Sequence, residues 1–199
     1  WLGFNSRVLQ ESTDKKVALY EKIKYLSIFS SNLDEFFRVR YPSVLSLSKL
    51  NEKIRIKAGI SIADDLAEKI QTEVNRQLDC FGKILTREII PELKDNGIVF
   101  YYNMPIRAEH LPEVKEIFLS NVLAYIQPVF LAPDSAQVFF PENNQLYFSI
   151  TLKELNQGTL KHAIVNIPSN KVKRFFSLSP LNGKEYVVFL DDIIRENLT

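Results

Sequence analysis

Seven apolar residues at three- and four-residue spacing, Ile62, Leu66, Ile70, Val74, Leu78, Phe81 and Leu85, constrain this chain more than any other feature. On a helix they form one stripe, which needs two or more neighbouring helices to cover it. The segments before it supply them. Phe4, Val8 and Leu9 suit a short amphipathic helix that Asp14 and Lys15 interrupt, and Val17, Tyr20, Ile23 and Leu26 repeat as a second helix. Leu33, Phe37, Tyr41, Val44 and Leu47 share one face of a third, starting near Asn32. Pro42 lies inside that third pattern and is expected to kink or split it. Asn51 to Gly59 carries basic charge and a glycine and reads as a connection. Pro91 opens a further turn, and Asn96-Gly97 supplies a left-handed C-terminal stop.

From Ile98 the texture changes. Ile98 to Tyr101 reads as a strand, and Glu109 to Ile126 as a helix with Pro112 in its first turn. Alternating or β-branched runs follow at Gln145 to Leu152, His162 to Ile167, Arg174 to Leu178 and Tyr186 to Leu190. Asp191 reads as the N-cap of a final helix from Asp192 to Leu198. The fold class expected is α+β: an N-terminal antiparallel helical bundle over residues 1–94, then a mixed α/β head with a mainly antiparallel sheet over 95–199. The chain opens on Trp1 without a methionine, so an upstream stretch is expected.

Several chemistries are excluded. With 46% hydrophobic and 25% charged residues, the composition is that of a globular protein, and disordered or collagen-like chains are ruled out. No apolar run reaches the ~18 residues of a membrane span. The single cysteine, Cys80, can form no internal disulfide, suits a reducing compartment, and falls on the long apolar stripe as core packing. A net charge of +1 gives no global attraction to polyanions or nucleic acid, so any phosphate contact must be local. No Gly-rich phosphate loop, kinase signature or Gly-x-Ser-x-Gly elbow is present. His110 and His162 stand apart, in no metal-ligand spacing, and read as structural. The pairs Asp34-Glu35, Asp64-Asp65 and Asp191-Asp192 fall near expected helix starts, where the helix dipole favours negative charge.

Ser30-Ser31-Asn32-Leu33-Asp34-Glu35-Phe36 is the stretch that points to a function. Locally, Asn32 with Glu35 three residues on makes a capping-box pairing, and Asn32 is then a helix cap. Equally, an exposed Asn amide presents an acceptor and a donor, the pair that reads an adenine edge. Local chemistry permits both.

The run Trp1 to Glu11, WLGFNSRVLQE, resembles the opening of the long, multidomain bacterial polyphosphate kinases, as does Ile28 to Arg40, IFSSNLDEFFRVR. Weaker matches follow in order at Glu88–Pro91, Asn96–Ile98, Gln127–Leu131, Ala163–Pro168, Arg174-Phe175 and Phe189–Ile194. One departure is Ala132 to Pro141, which poorly preserves the family's Pro-rich stretch; Pro42 is another. The resemblance implies reversible transfer of the terminal phosphoryl group of ATP to polyphosphate, with Mg²⁺, through a phosphohistidine. It also implies that the nucleophile lies in C-terminal domains similar to the phospholipase D fold, beyond Thr199, so that no catalytic or metal-binding residue is expected in this chain. The head is expected to be truncated at its C-terminal end.

One ligand contact carries over: the family's adenine-contacting Asn matches Asn32. The expected partners are ATP or ADP, polyphosphate, the C-terminal domains, and further copies in a homo-oligomer. The expected location is the cytoplasm, with membrane association open. Among the basic residues, Arg38 and Arg40 follow Asn32 but cannot both face one site. Lys49, Lys53, Arg55 and Lys57 read as a solvated face, and Lys171, Lys173 and Arg174 make a third cluster. The alternative function is a non-catalytic protein-interaction module of the same ancestry.

Overall fold

A computed structural model describes residues 1–50, 54, 57, 65–131, 139–153 and 159–198. Ile62, Lys53, Arg55, Asp64, most of the Asn51–Gly59 connection and residues 132–138 lie outside the described residues. The chain forms two compact units, Trp1–Asn96 and Gly97–Thr199. The fold class is α+β, a helical unit followed by a mixed unit whose strand pairing is mainly antiparallel.

In the first unit α1 spans Leu2–Glu11 and α2 spans Leu19–Glu35. A π-helical turn, Phe36–Arg40, then leads directly into α3, Tyr41–Ser48. After the connection α4 runs over Leu66–Ile84, followed by a second π turn, Leu85–Ile89, and α5, Ile90–Asp95. Leu9, Leu26, Phe29, Leu33, Phe36, Val74, Ile84 and Ile89 form its core. Phe29 is 1% exposed and stacks on Phe81 with ring centroids 5.5 Å apart; burying such a side chain contributes about 1.5–3 kcal/mol. Cys80 packs against this core, half-buried. The stripe on α4 is offset from the expected one. Leu78 is exposed, and Gln77 takes the buried place beside Val74.

Both prolines sit one residue after a π turn closes. The Tyr41 N–H donates to the Phe36 carbonyl just before Pro42, and the Ile90 N–H donates to Leu85 just before Pro91. A proline has no N–H to give the carbonyl four residues back and its ring crowds it; a wider turn relieves both. The expected interruption at Pro42 therefore takes the form of a π turn within a continuous helix.

The second unit contains β1, Ile98–Phe100, followed by a 3-10 turn, Ala108–His110, and α6, Leu111–Ile117. A π turn, Phe118–Val122, and a 3-10 turn, Leu123–Tyr125, complete the helical stretch expected over Glu109–Ile126. The remaining strands are β2 (Pro128–Leu131), β3 (Leu146–Lys153), β4 (Leu160–Ile167), β5 (Phe175–Leu181) and β6 (Lys184–Phe189), before α7, Leu190–Asn197. They form two three-stranded sheets. One has the order β1-β6-β5, with β1 parallel to β6; the other, β2-β4-β3, is antiparallel throughout. Asn182 and Gly183, both at positive φ, make the two-residue turn of the β5–β6 hairpin. Val99, Tyr101, Val114, Val122, Ile167, Leu178, Val188, Ile193 and Ile194 belong to one buried cluster fed by both sheets.

Asp191 does not cap the last helix. Phe189 occupies the cap position without a side-chain bond, and Asp191 pairs with Arg174 at 3.5 Å, too long for a good hydrogen bond. One of its oxygens is buried without a hydrogen-bond partner. Leu190 already belongs to the helix because its side chain is fully buried, which draws the start back by two residues.

Candidate functional site

The Asn32 neighbourhood is built where α1 crosses α2. The rings of Trp1 and Phe36 stack at 5.2 Å, while Asn5 meets Asn32 one turn further along each helix, so the helices run antiparallel. Asn32 is not a helix cap. α2 passes through Ser30, Ser31 and Asn32 without a break, and Asn32 lies near its C-terminal end with Glu35 as the last residue. The capping-box pairing expected there is overturned. The buried positions Leu26, Phe29, Leu33 and Phe36 continue one stripe across the junction, and tertiary burial outweighs the local capping preference. By the same geometry Asp34-Glu35 lies inside the continuous helix, where α2 meets the π turn, rather than at a helix start.

Asn32 is half-buried, and its Nδ2 donates to Asn5 Oδ1 at 3.0 Å. Asn5 is fully buried and donates from its own Nδ2 to the Phe29 carbonyl at 3.2 Å. An Asn amide has two N–H groups and one carbonyl oxygen, so Asn32 retains one N–H and its Oδ1 for a ligand. Arg40 lies over the Trp1 ring at 5.7 Å, whereas Arg38 turns to Asp34 at 3.9 Å. The two arginines diverge, as their spacing requires. Asn5 carries no local signal of its role: its partners are 24 and 27 residues away in sequence.

The two histidines sit in different surroundings, His110 enclosed and His162 exposed. His110 is 1% exposed, with Nε2 2.8 Å from the Ser179 carbonyl and Nδ1 2.7 Å from the Tyr101 hydroxyl. A carbonyl can only accept, so Nε2 carries the hydrogen and Nδ1 accepts from Tyr101. The Tyr101 oxygen in turn accepts the Arg107 N–H at 3.2 Å, and burial raises the Tyr101 pKa, keeping the hydroxyl a donor. Ser179 is free to take part because β5 loses register with β6 between Leu178 and Leu181, at Pro180 on the sheet edge. Its N–H meets Glu113 at 2.9 Å. His162 is exposed on β4, beside the Thr151 hydroxyl at 3.1 Å.

The second unit holds a cavity of about 330 Å³ lined by Tyr125, Phe139, Tyr147, Asn166 and Lys171 among others. A neighbouring groove of about 590 Å³ shares Tyr125 and Lys171 and adds Lys173 and Phe175. Of the third basic cluster, Lys171 and Lys173 are exposed and Arg174 is held by Asp191. Among the described residues no three His, Cys, Asp or Glu side chains are grouped to hold a metal ion. Among them, too, no helix is long and apolar enough to cross a membrane.

Residues 1–101 match the polyphosphate kinase N-terminal domain, and residues 109–199 match the polyphosphate kinase middle domain. Among curated relatives, polyphosphate kinase of Vibrio cholerae is 32% identical over 98% of this chain and 27% of its own length. That of Escherichia coli K12 is 30% identical over 98% of the chain and 28% of its length. The chain thus spans little more than a quarter of these relatives. The crystal structure of polyphosphate kinase from Porphyromonas gingivalis superposes with a TM-score of 0.81 at 28% identity, covering 100% of this chain and 29% of that one. The chain belongs to the polyphosphate kinase family, of which it carries the N-terminal and middle domains.

Proposed function

We propose that this chain is the N-terminal and head portion of an ATP–polyphosphate phosphotransferase, and that Asn32 supplies the adenine side of its ATP site. The phosphoryl group would pass through a histidine outside residues 1–199, with Mg²⁺ held by residues elsewhere in the protein. The chain's part would be to bind and orient the base, and to offer surfaces to polyphosphate or to a second copy. The observation that carries this reading is the state of Asn32. It is half-buried, held on one side by Asn5, and left with one donor and one acceptor. That pair complements the adjacent donor and acceptor of an adenine edge, and a bidentate contact of this kind supplies about 1–3 kcal/mol of recognition. Family membership supports the substrate class.

Replacing Asn32 by Ala in the full-length protein is expected to raise the ATP KM and Kd roughly five- to 150-fold, the equivalent of that range. Unchanged ATP KM and Kd would overturn the assignment.

A further inference from the structure

We propose that Asn5 is a positioning residue that locks the Asn32 amide in the orientation that selects adenine over guanine; this rests on the reading that Asn32 meets the base. The two ends of an Asn amide have nearly the same shape and opposite hydrogen-bonding sense, so a half-turn about its last torsion exchanges donor and acceptor. At position 6 adenine presents an amino donor where guanine presents a carbonyl acceptor. An Asn free to turn over would therefore take either purine. One held with its oxygen toward the base's position 6 takes adenine.

The chain of bonds behind Asn32 has a fixed direction. It begins at the Phe29 carbonyl, a backbone group of α2 that cannot turn over and can only accept. Asn5 must therefore aim Nδ2 at Phe29, at 3.2 Å, and Oδ1 at Asn32. Asn32 must then give Nδ2 to Asn5, at 3.0 Å, and keep Oδ1 on the ligand side. Turned over, Asn32 would set two carbonyl oxygens against each other. Asn5 is 0% exposed, so water cannot replace either bond, while Asn32 at the end of the chain is half-buried and reachable. A buried amide serving only to join helices would not need its partner to end in an accessible amide.

The experiment measures KM and kcat for ATP and GTP, with thermal unfolding, in full-length Asn32→Ala, Asn5→Leu, Asn5→Asp and the Asn5→Leu/Asn32→Ala double variant. Asn5→Leu keeps the volume and removes both bonds. It is expected to raise the ATP KM about fivefold, the scale of one hydrogen bond, with kcat little changed and the preference for ATP over GTP narrowed. Asn5→Asp keeps the accepting oxygen and is expected to retain the ATP preference, although its buried carboxylate lowers Tm. The double variant should be no worse than Asn32→Ala alone. If Asn5→Leu does not fold, Asn5→Ser, too short to reach both Phe29 and Asn32, takes its place.

A raised ATP KM in Asn32→Ala with wild-type ATP-over-GTP preference in Asn5→Leu would overturn the lock and leave the Asn32 reading standing. Loss of preference in Asn5→Asp equal to that in Asn5→Leu would reduce Asn5 to packing. An Asn32→Ala protein with wild-type ATP KM would overturn the adenine reading, and the lock with it.

Discussion

Buried polar side chains in the first unit act mainly by holding other groups in place. Gln77, 1% exposed, donates from Nε2 to the Leu2 carbonyl at 3.0 Å and to Glu73 at 2.7 Å, tying the start of α1 to α4. Its Oε1 is buried without a partner, a cost accepted for those two bonds. Lys22, 8% exposed, reaches Glu92 at 2.8 Å and joins the start of α2 to α5. Glu73 is itself a strongly shifted acid: hydrogen bonds from Arg76, then Gln77, lower its pKa from 4.5 to about 2. A depressed carboxylate stabilises the fold above its unfolded pKa and loses that contribution as pH falls through the folded value. Stability is therefore expected to fall between pH 4.5 and about 2, and Glu73→Gln to flatten the profile in that window. Denaturant unfolding of both proteins at several pH values checks this; parallel profiles would contradict it.

The elements were legible in sequence to different degrees. Strong periodicity placed α1, α2 and α4, and Asn96-Gly97 marked the stop after α5, where Gly97 has φ +81°. A Cβ there would meet nothing within 4 Å, so only backbone strain opposes it. Gly97→Ala is expected to cost about 1–2 kcal/mol, the penalty of a left-handed non-glycine residue, read as a shift in denaturant midpoint. A neutral substitution would contradict the account of that stop. Other features were hidden because their causes are distant. Nothing near Ser30-Ser31-Asn32 reveals that Phe29 and Leu33 are buried by other helices and carry α2 through the apparent cap. The placing of β1 beside β6 likewise joins residues far apart in the chain.

At the scale of the whole molecule, the described residues supply two cores, a half-buried amide, one enclosed histidine and one exposed histidine. His110 is enclosed by Tyr101 and the Ser179 carbonyl, and His162 lies on a strand beside Thr151. The isolated 199-residue chain is expected to transfer no phosphoryl group from ATP to polyphosphate. In the full-length protein His162→Gln should leave the phosphohistidine yield unchanged, measured by labelling with γ-phosphate-tagged ATP; loss of label would place chemistry in this chain. The family was legible in two sequence runs, whereas the support for Asn32 came from Asn5, visible only once α1 and α2 are packed. The most direct test compares the Kd of ATP with that of purine riboside triphosphate, which lacks the exocyclic amine, in full-length wild-type and Asn32→Ala proteins. A clear preference for ATP is expected in the wild type, collapsing to near equality in Asn32→Ala. The same preference in both proteins would contradict it.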